Sequence, residues 1–365
     1  MAYLVFPNLG NYTIALASDL SCLGLEAWVS TATSPEAMKL GIEAAPESTC
    51  LPFKAHLGLF IEAANAGVEY ALMVNSIGSC RLRYYRYLLE KILKDLGLKI
   101  HLFNLGYDGI KPPFIRYFDP DLLPFVKSTA LAFRKIKVID IIELETWRTR
   151  PLEISPGNTS RVMYECLHEL NVSKTSKETM ALSRAIPARF SAIPVDKGRN
   201  PLKIGLIGEV SVLRDKFLNH NVENILGSLG VEVRNFFLLG AEIRNIFHIE
   251  LGNKNTRKYL AKLARPYLKY GEGGHALESV AHTIRCAHEG YDGMVHLCPA
   301  GCMPEISVRP ILRRVSLDMD IPVLQCSFDE HTSPGGVTTR LEAFVDVLLE
   351  RRKKKSGSEK VQKEA

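Results

Sequence analysis

The sequence predicts an α/β protein with two duplicated Rossmann- or flavodoxin-like domains, each with a parallel sheet, and a helical middle segment. Strand and helix patterns alternate over residues 1–118 and again over 201–350, as is typical of parallel α/β folds. The two stretches also resemble each other. Gly67–Val74 aligns with Gly290–Leu297, and a glycine and a cysteine follow each predicted strand. We interpret the likeness as an internal duplication.

In the first domain, short apolar runs predict strands and longer amphipathic runs predict helices. Gly24 ends the first helix, because glycine stops helices. The predicted order is strand Tyr3–Pro7, helix Tyr12–Cys22, strand Glu26–Ser30, helix Leu57–Ala66, strand Tyr70–Asn75, helix Tyr84–Leu96 and strand Ile100–Asn104.

The middle of the chain, residues 119–200, differs from both domains. Asp119–Arg189 is polar with helical periodicity, and Pro187–Pro201 contains three prolines and a glycine. We therefore predict helices followed by a linker.

After the linker the α/β pattern starts again. The predicted order is strand Lys203–Ile207, helix Val222–Ser228, strand Glu232–Phe237, helix Ala276–Ala287, strand Gly293–Leu297, helix Ile306–Asp318, strand Val323–Ser327 and helix Thr338–Arg352. When the two halves of the duplication are aligned, Cys50 matches Gly273. Gly273 belongs to a Gly-Gly loop, whose backbone we expect to have positive φ values.

The charge distribution excludes several classes of protein. Residues 351–365 carry seven Lys or Arg and two Glu, so this tail holds +5 of the net +6. We predict a basic, disordered tail. The nearly neutral remainder argues against a nucleic-acid-binding domain.

Leu57–Val74 is the most apolar stretch, but Glu62 and Glu69 interrupt it, so we predict no membrane span. With no secretory leader pattern, we expect a cytoplasmic protein.

Three of the eight cysteines stand where ligands bind in open α/β sheets, beyond the carboxyl ends of strands. Cys80 and Cys302 follow predicted strands, and Cys50 opens a predicted helix. If the domains face each other, three thiolates would meet in one cleft. Such a set suits an iron–sulfur cluster or zinc. The alternative is that these cysteines are small residues packed in tight loops, since no pair of CxxC motifs is present.

Six strings in the sequence resemble the CoA-protein-activase-related family, which is related to 2-hydroxyacyl-CoA dehydratase components and to double-cubane cluster proteins. The strings are Thr-Cys-Leu-Pro-Phe-Lys (49–54), Gly-Ser-Cys-Arg (78–81), Gly-Gly-His-Ala-Leu-Glu-Ser (273–279), Ala-Gly-Cys-Met-Pro-Glu (300–305), Pro-Val-Leu-Gln-Cys-Ser-Phe-Asp-Glu-His-Thr (322–332) and Thr-Arg-Leu-Glu-Ala-Phe-Val-Asp (339–346). The resemblance covers most of residues 1–110 and 200–350 and leaves out the middle segment and the tail.

The resemblance implies paired α/β domains that hold a [4Fe–4S]-type cluster, with Cys50, Cys80 and Cys302 as the matched ligands. Three thiolates would leave one iron open. The relatives accept one low-potential electron from a separate ATP-hydrolysing activator and use it on a 2-hydroxyacyl-CoA. This chain has no GxxxxGK[ST] motif, so an ATPase partner is expected. A double-cubane cluster would need further ligands, which predicts a homodimer or a paralogous subunit.

Other residues near these motifs are further candidates. Cys298 is a candidate fourth ligand that would close the site and favour electron transfer, or a residue buried at the strand end; Cys326 ends a strand near the same face. His275, Glu305 and His331 are candidate catalytic residues, and Lys54, Arg81 and Glu330 are candidates for tuning the cluster. For each, the alternative is an ion pair or a loop cap. Two other functions stay open, namely a non-catalytic electron-transfer or assembly subunit and a metal-free structural relative.

Overall fold

The computed structural model describes residues 2–18, 20–29, 31–74, 80–105, 113–246 and 257–364. Within them, two parallel sheets of four strands each confirm the predicted α/β class. The first sheet contains β1 (Ala2–Val5), β2 (Leu25–Ala27), β3 (Tyr70–Val74) and β4 (His101–Leu105). The second contains β5 (Leu202–Gly208), β6 (Val231–Asn235), β7 (Gly293–Pro299) and β8 (Val323–Phe328). The strand orders, β2-β1-β3-β4 and β6-β5-β7-β8, are the same topology used twice.

Helices connect the strands and fill the middle of the chain. In the first domain they are α1 (Thr13–Ala17), α2 (Pro35–Ala44), α3 (Leu51–Asn65), α4 (Leu82–Asp95) and α5 (Pro113–Phe118). The middle segment contains α6 (Leu122–Thr149), α7 (Asn158–Val172) and α8 (Ser176–Ser191). The second domain contains α9 (Val210–Arg214), α10 (Val222–Ser228), α11 (Leu239–Ile246), α12 (Arg257–Ala264), α13 (Ala276–His288), α14 (Met303–Asp318) and α15 (Pro334–Glu364).

Several boundaries differ from the prediction. The first predicted helix is broken, because α1 lies between two 3-10 helices, Gly10–Tyr12 and Leu20–Leu23. Pro187, which we placed in the linker, lies inside α8. Proline removes one helical hydrogen bond, but the buried side chains of Ile186 and Phe190 pack on the helical core and hold the turn in place. Ser30 and Asn75, predicted as strand ends, lie outside the described residues.

The basic tail also differs. We predicted that the last helix ends at Arg352 and that a disordered tail follows, but α15 continues to Glu364. Near this boundary, Arg352 Nη2 lies 2.5 Å from Asp292 Oδ2 and Lys355 Nζ lies 2.9 Å from Asp320 Oδ2. These pairs anchor the helix where it leaves the domain. None of the helices in the described part of the chain is both long and apolar enough to cross a membrane.

A buried group of charged and polar side chains joins the first domain, the middle segment and the second domain. We call it the ionic junction and define it as Asn11, Tyr12, Asp140, Glu143 and Arg214. Arg214 Nη2 and Asn11 Nδ2 donate to Glu143 Oε1 at 2.6 and 2.8 Å, and Tyr12 Oη donates to Asp140 Oδ1 at 2.6 Å. Burial alone would raise the pKa of Glu143, but Arg214 holds it below its usual value. The junction therefore keeps the carboxylate charged inside the protein.

Candidate functional site

The candidate site lies at the switch points of both sheets. In each sheet the first and third strands in chain order are neighbours, and the connections that follow them lead to opposite edges of the sheet. Open α/β sheets bind ligands at the carboxyl ends of such strand pairs. Cys80 lies between β3 and α4, Cys302 lies between β7 and α14, and Cys50 begins α3 at the same edge. Gly78 and Ser79, from the Gly-Ser-Cys-Arg string, lie outside the described residues.

Cys50 and Cys302 occupy the same local structure. Each is the N-cap of a helix, with extended φ/ψ values of −76°/157° and −77°/104°. Each is followed two residues later by a proline, Pro52 or Pro304. Proline fits there because the first-turn N–H that it lacks has no partner within the helix. The repeated Cys-x-Pro pattern therefore places two thiols at two helix N-termini.

The turns that carry these thiols touch each other across the two domains. Leu51 N–H donates to Ala300 O at 3.3 Å. Gly301 has a φ of +74°, and a Cβ added to it would lie 3.2 Å from Thr49 O and 3.3 Å from Cys50 Cα. Only glycine combines this backbone conformation with so close an approach. We call the region formed by residue 209 and residues 48–51, 80–81 and 299–302 the cysteine cleft.

Arg81 holds the three turns of the cysteine cleft together. It directly follows Cys80, its Nη1 donates to Ser48 O at 2.8 Å, and its Nη2 donates to Gly301 O. One guanidinium thus links the three cysteine-bearing turns. We predicted that Arg81 tunes a cluster, and this role stays a prediction; in the structure Arg81 is the clamp of the cleft.

Lys54 and Glu330 form a second link between the domains. Lys54 Nζ lies 2.5 Å from Glu330 Oε1, which ties α3 to the loop after β8. Burial alone would raise the pKa of Glu330, but the hydrogen bond from Lys54 lowers it below its usual value. The two predicted tuning residues therefore neutralise each other.

The thiols of the cleft lie close enough to influence one another. Burial raises the pKa of Cys50 to about 11, although the Tyr85 hydroxyl and the Phe53 amide favour its thiolate. A negative charge on Cys80 raises the Cys50 pKa further. Burial also raises the pKa of Cys302, and a negative charge on Cys50 adds to that shift. Burial thus favours the protonated forms of Cys50 and Cys302, and a bound cation would favour their thiolates.

Glu209 is a cleft residue that the sequence analysis missed. It follows Gly208 at the end of β5, and its carboxylate raises the pKa of both Cys50 and Cys302. Oε2 accepts from Val212 N–H at 3.1 Å. Burial raises its pKa above the usual glutamate value. Its place directly beyond a predicted strand was a signal, since the same reasoning selected Cys80 and Cys302.

Tyr85 was also missed. Its Oη lies 3.2 Å from Cys50 Sγ, and Cys50 N–H donates to Oη at 3.4 Å. In the sequence, Tyr85 is one apolar position in the repeat that buries one face of α4, together with Leu89 and Leu93. This pattern does not show whether Tyr85 contacts a cysteine or only packs in the core.

His275 is the N-cap of α13. It lies close enough to Glu209 that a positive charge on its ring would lower the pKa of this carboxyl. Its ring packs edge-on against Phe237, with centroids 5.4 Å apart. It lines a cavity of about 20 Å³ together with Glu278 and His282. Burial lowers the pKa of His282 to about 3, so this imidazole is neutral. A cavity of this size accommodates about one water molecule.

The other two predicted catalytic residues are placed differently. Glu305 is 1% exposed, and its Oε2 accepts from Ser279 Oγ at 3.0 Å and lies 2.8 Å from His296 Nε2. It thereby connects α13, β7 and α14 beneath the cleft. His331 is exposed, and its backbone N–H donates to Asp329 Oδ1 at 3.0 Å, which matches the loop-cap alternative.

The two candidate extra ligands are buried in strands. Cys298 is 2% exposed within β7, and the charged groups that shift its pKa are Glu305, Arg309 and Glu209 rather than another thiol. Cys326 is 1% exposed within β8 and belongs to the core of the second domain. Cys166 and Cys286 are buried in helices, as expected of packing residues.

The structure corrects the register of the duplication. The helix before β3 has 15 residues and the helix before β7 has 13, so matching their N-caps pairs Cys50 with His275 rather than with Gly273. Gly273 and Gly274 do have the expected positive φ, at +82° and +52°. Cys80 and Cys302 then match as the residues that precede α4 and α14. The first domain thus supplies two thiols, and the second supplies one thiol and an imidazole.

The chain was compared with models of known families and with curated proteins. No family model matches it, and no curated protein is significantly similar to it. Across the described residues, no group of three or more His, Cys, Asp or Glu side chains is close enough to hold a single metal ion. Cysteine thiolates are the donors that hold iron–sulfur clusters, so the chemistry of the donor set is that of such a site.

Proposed function

We propose that this protein holds an iron–sulfur cluster in the cysteine cleft through Cys50, Cys80 and Cys302, and uses it for one-electron chemistry on an acyl-CoA or another small molecule. The observation that carries the proposal is the clamp formed by Arg81. It joins three turns from distant parts of the chain, and each turn bears a cysteine beside the point of contact. Thiolates are the usual protein ligands of such clusters.

The electrostatics of the cleft support an anionic group. The N-termini of α3 and α14, each preceded by a cysteine, carry partial positive charge. The guanidinium of Arg81 adds a full positive charge. Burial raises the pKa of Glu209, which weakens the preference of this carboxyl for its charged form.

When bound, a [4Fe–4S] cluster of single or double-cubane type would supply a centre that accepts one low-potential electron, and three protein thiolates would leave one iron for another ligand. The protein's own residues would orient the thiols and limit the access of water. The Leu51–Ala300 hydrogen bond and the close approach at Gly301 support the first task, because they bring the turns together without intervening side chains.

We further propose that the electron comes from a separate ATP-hydrolysing activator, and that the chain works as a homodimer or with a paralogous subunit. The family resemblance supports both statements. The sequence supports the first, because it contains no GxxxxGK[ST] loop for ATP.

The test is the content of iron and acid-labile sulfide in protein purified without oxygen, together with EPR spectra after reduction by dithionite. We expect about four irons and four sulfides per chain, or about eight for a double-cubane cluster. Cys50→Ala, Cys80→Ala and Cys302→Ala should each lose the signal, whereas Cys286→Ala, which removes a buried thiol in α13, should keep it. A parent protein with neither iron nor sulfide would overturn the proposal.

The same variants separate the alternatives. If Cys298→Ala changes the EPR spectrum, Cys298 is a fourth ligand and the chain is better described as an electron-transfer subunit. If Cys298→Ala leaves the spectrum unchanged, the open-iron description stands. The effect of an added acyl-CoA on the spectrum of the reduced protein then tests whether the open iron binds substrate.

A further inference from the structure

Tyr85 is the residue of α4 that reaches the cysteine cleft from within the core. Its side chain is 5% exposed, and its ring packs edge-on against Phe53, with centroids 4.5 Å apart. Phe53 belongs to the first turn of α3, three residues after Cys50. The ring is therefore held in place by the same helix whose N-cap is the thiol.

The hydroxyl of Tyr85 makes two contacts with Cys50. Cys50 N–H donates to Oη at 3.4 Å, and Oη lies 3.2 Å from Cys50 Sγ. The N–H occupies a lone pair of the oxygen, which leaves the phenolic proton free to point at the sulfur. When Cys50 is a metal-bound thiolate, it has no proton of its own, so only the tyrosine is able to donate.

We propose that Tyr85 is a positioning residue that donates a hydrogen bond from Oη to the Cys50 sulfur, which fixes the orientation of this ligand and raises the reduction potential of the cluster. The inference rests on the proposed function and extends it by naming a residue that sets the potential.

The direction of the effect follows from charge. Reduction adds an electron to the cluster and makes the ligand sulfur more negative, so a hydrogen-bond donor stabilises the reduced state more than the oxidised state. Loss of one such bond should change the ratio of reduced to oxidised protein at a fixed potential by about tenfold. For a one-electron couple this equals a midpoint about 59 mV more negative.

The experiment is a redox titration of anaerobically purified protein, followed by EPR, on the parent, Tyr85→Phe and Tyr84→Phe. Tyr84 lies on the same helix and its side chain is 64% exposed, so its variant makes the same chemical change away from the cleft. We expect a negative shift in Tyr85→Phe, no shift in Tyr84→Phe, and equal iron and sulfide contents in all three. A Tyr85→Phe midpoint equal to that of the parent would overturn the inference.

A second measurement covers the case in which Tyr85→Phe fails to fold. Site-specific replacement of Tyr85 by 3-fluorotyrosine keeps the hydroxyl and makes it a stronger donor, so the midpoint should move in the positive direction. A negative shift would contradict the inference. A parent protein without iron and sulfide would overturn the proposed function and this inference together, whereas a loaded parent with unmoved midpoints would overturn the inference alone.

Discussion

The two domains meet at the ionic junction and at the cysteine cleft. The pKa of Glu143 in the junction and those of the thiols in the cleft shift in opposite directions, although burial raises the pKa of Asp140 in the junction as well. In the ionic junction, Arg214 holds the pKa of buried Glu143 below its usual value. In the cleft, burial raises the pKa of Cys50, of Cys302 and of Glu209. The Glu143 carboxylate therefore has its cation within the folded chain, whereas in the cleft burial outweighs the groups that favour the thiolates.

The largest expected effect is the removal of Arg214. Arg214→Met leaves the Glu143 carboxylate buried without its cation, so the free energy of unfolding should fall by about 3–5 kcal/mol in chemical denaturation at neutral pH. Arg161→Ala is the control, because the Arg161–Glu165 pair is exposed and should contribute less than about 1 kcal/mol. If the two variants lose similar stability, the ionic junction is not the structural contact that we describe.

Acid should weaken the helices of the cleft before it weakens the ionic junction. Burial lowers the pKa of His56 in α3 to about 4, from about 6.5 in the unfolded chain. Neutral His56 therefore contributes stability that is present above pH 6.5 and is lost as the pH falls toward 4, on the order of 3 kcal/mol. The lowered pKa of Glu143 affects stability only below its ordinary value of 4.5.

This order is checked by chemical denaturation from pH 7 to pH 4. His56→Gln should lose less stability across that range than the parent, because it removes the titrating imidazole from the core. His331→Gln, which changes an exposed imidazole, should follow the parent. Equal pH slopes in His56→Gln and the parent would contradict the prediction.

Gly301 tests how closely the cleft is packed. Gly301 and Gly290 have nearly the same φ, +74° and +73°, but a Cβ at Gly290 meets nothing within 4 Å among the described residues. Both alanine variants should lose about 1 kcal/mol from backbone strain. Gly301→Ala should lose about 1–2 kcal/mol more, since its Cβ presses on Thr49 and Cys50, and should also retain less iron. If both variants retain the same amount of iron, close packing at Gly301 does not shape the cleft.

The smallest expected effect comes from the cross-domain pair of Lys54 and Glu330. Lys54→Met should reduce the free energy of unfolding by about 1 kcal/mol, because the Glu330 side chain is 20% exposed and water replaces its partner. Lys91→Met is the control, since the Lys91–Asp95 pair lies on the surface. A loss above about 3 kcal/mol would mean that Lys54 supports the cleft in the way that Arg214 supports the ionic junction.

Much of the architecture could be predicted from local sequence patterns. Short apolar runs such as Lys203–Ile207 predict buried parallel strands because both faces of such strands are covered, and β5 confirms this one. The register of the duplication was wrong because it assumed helices of equal length, whereas α3 and α13 differ by two residues.

The missed site residues have a different cause. The rule that ligands bind beyond strand ends selected Cys80 and Cys302, and it also selects Glu209. We applied the rule only to cysteines. Tyr85 had no such signal, because its contact with Cys50, 35 residues away in sequence, depends on how two helices pack. Burial pattern predicts that Tyr85 lies inside the protein, but not which atom its hydroxyl meets.

The three thiols come from both domains, and this affects how stable the contact between the domains is. A group bound to Cys50, Cys80 and Cys302 would act as a reversible cross-link, so its binding free energy would add directly to the stability of the closed arrangement. The concentration of the free group would then determine what fraction of the chains has the two domains in contact. Chains that lose it would rely on the remaining contacts between the domains, among them the ionic junction and the Lys54–Glu330 pair. Local opening of the cleft would then expose such chains to proteases.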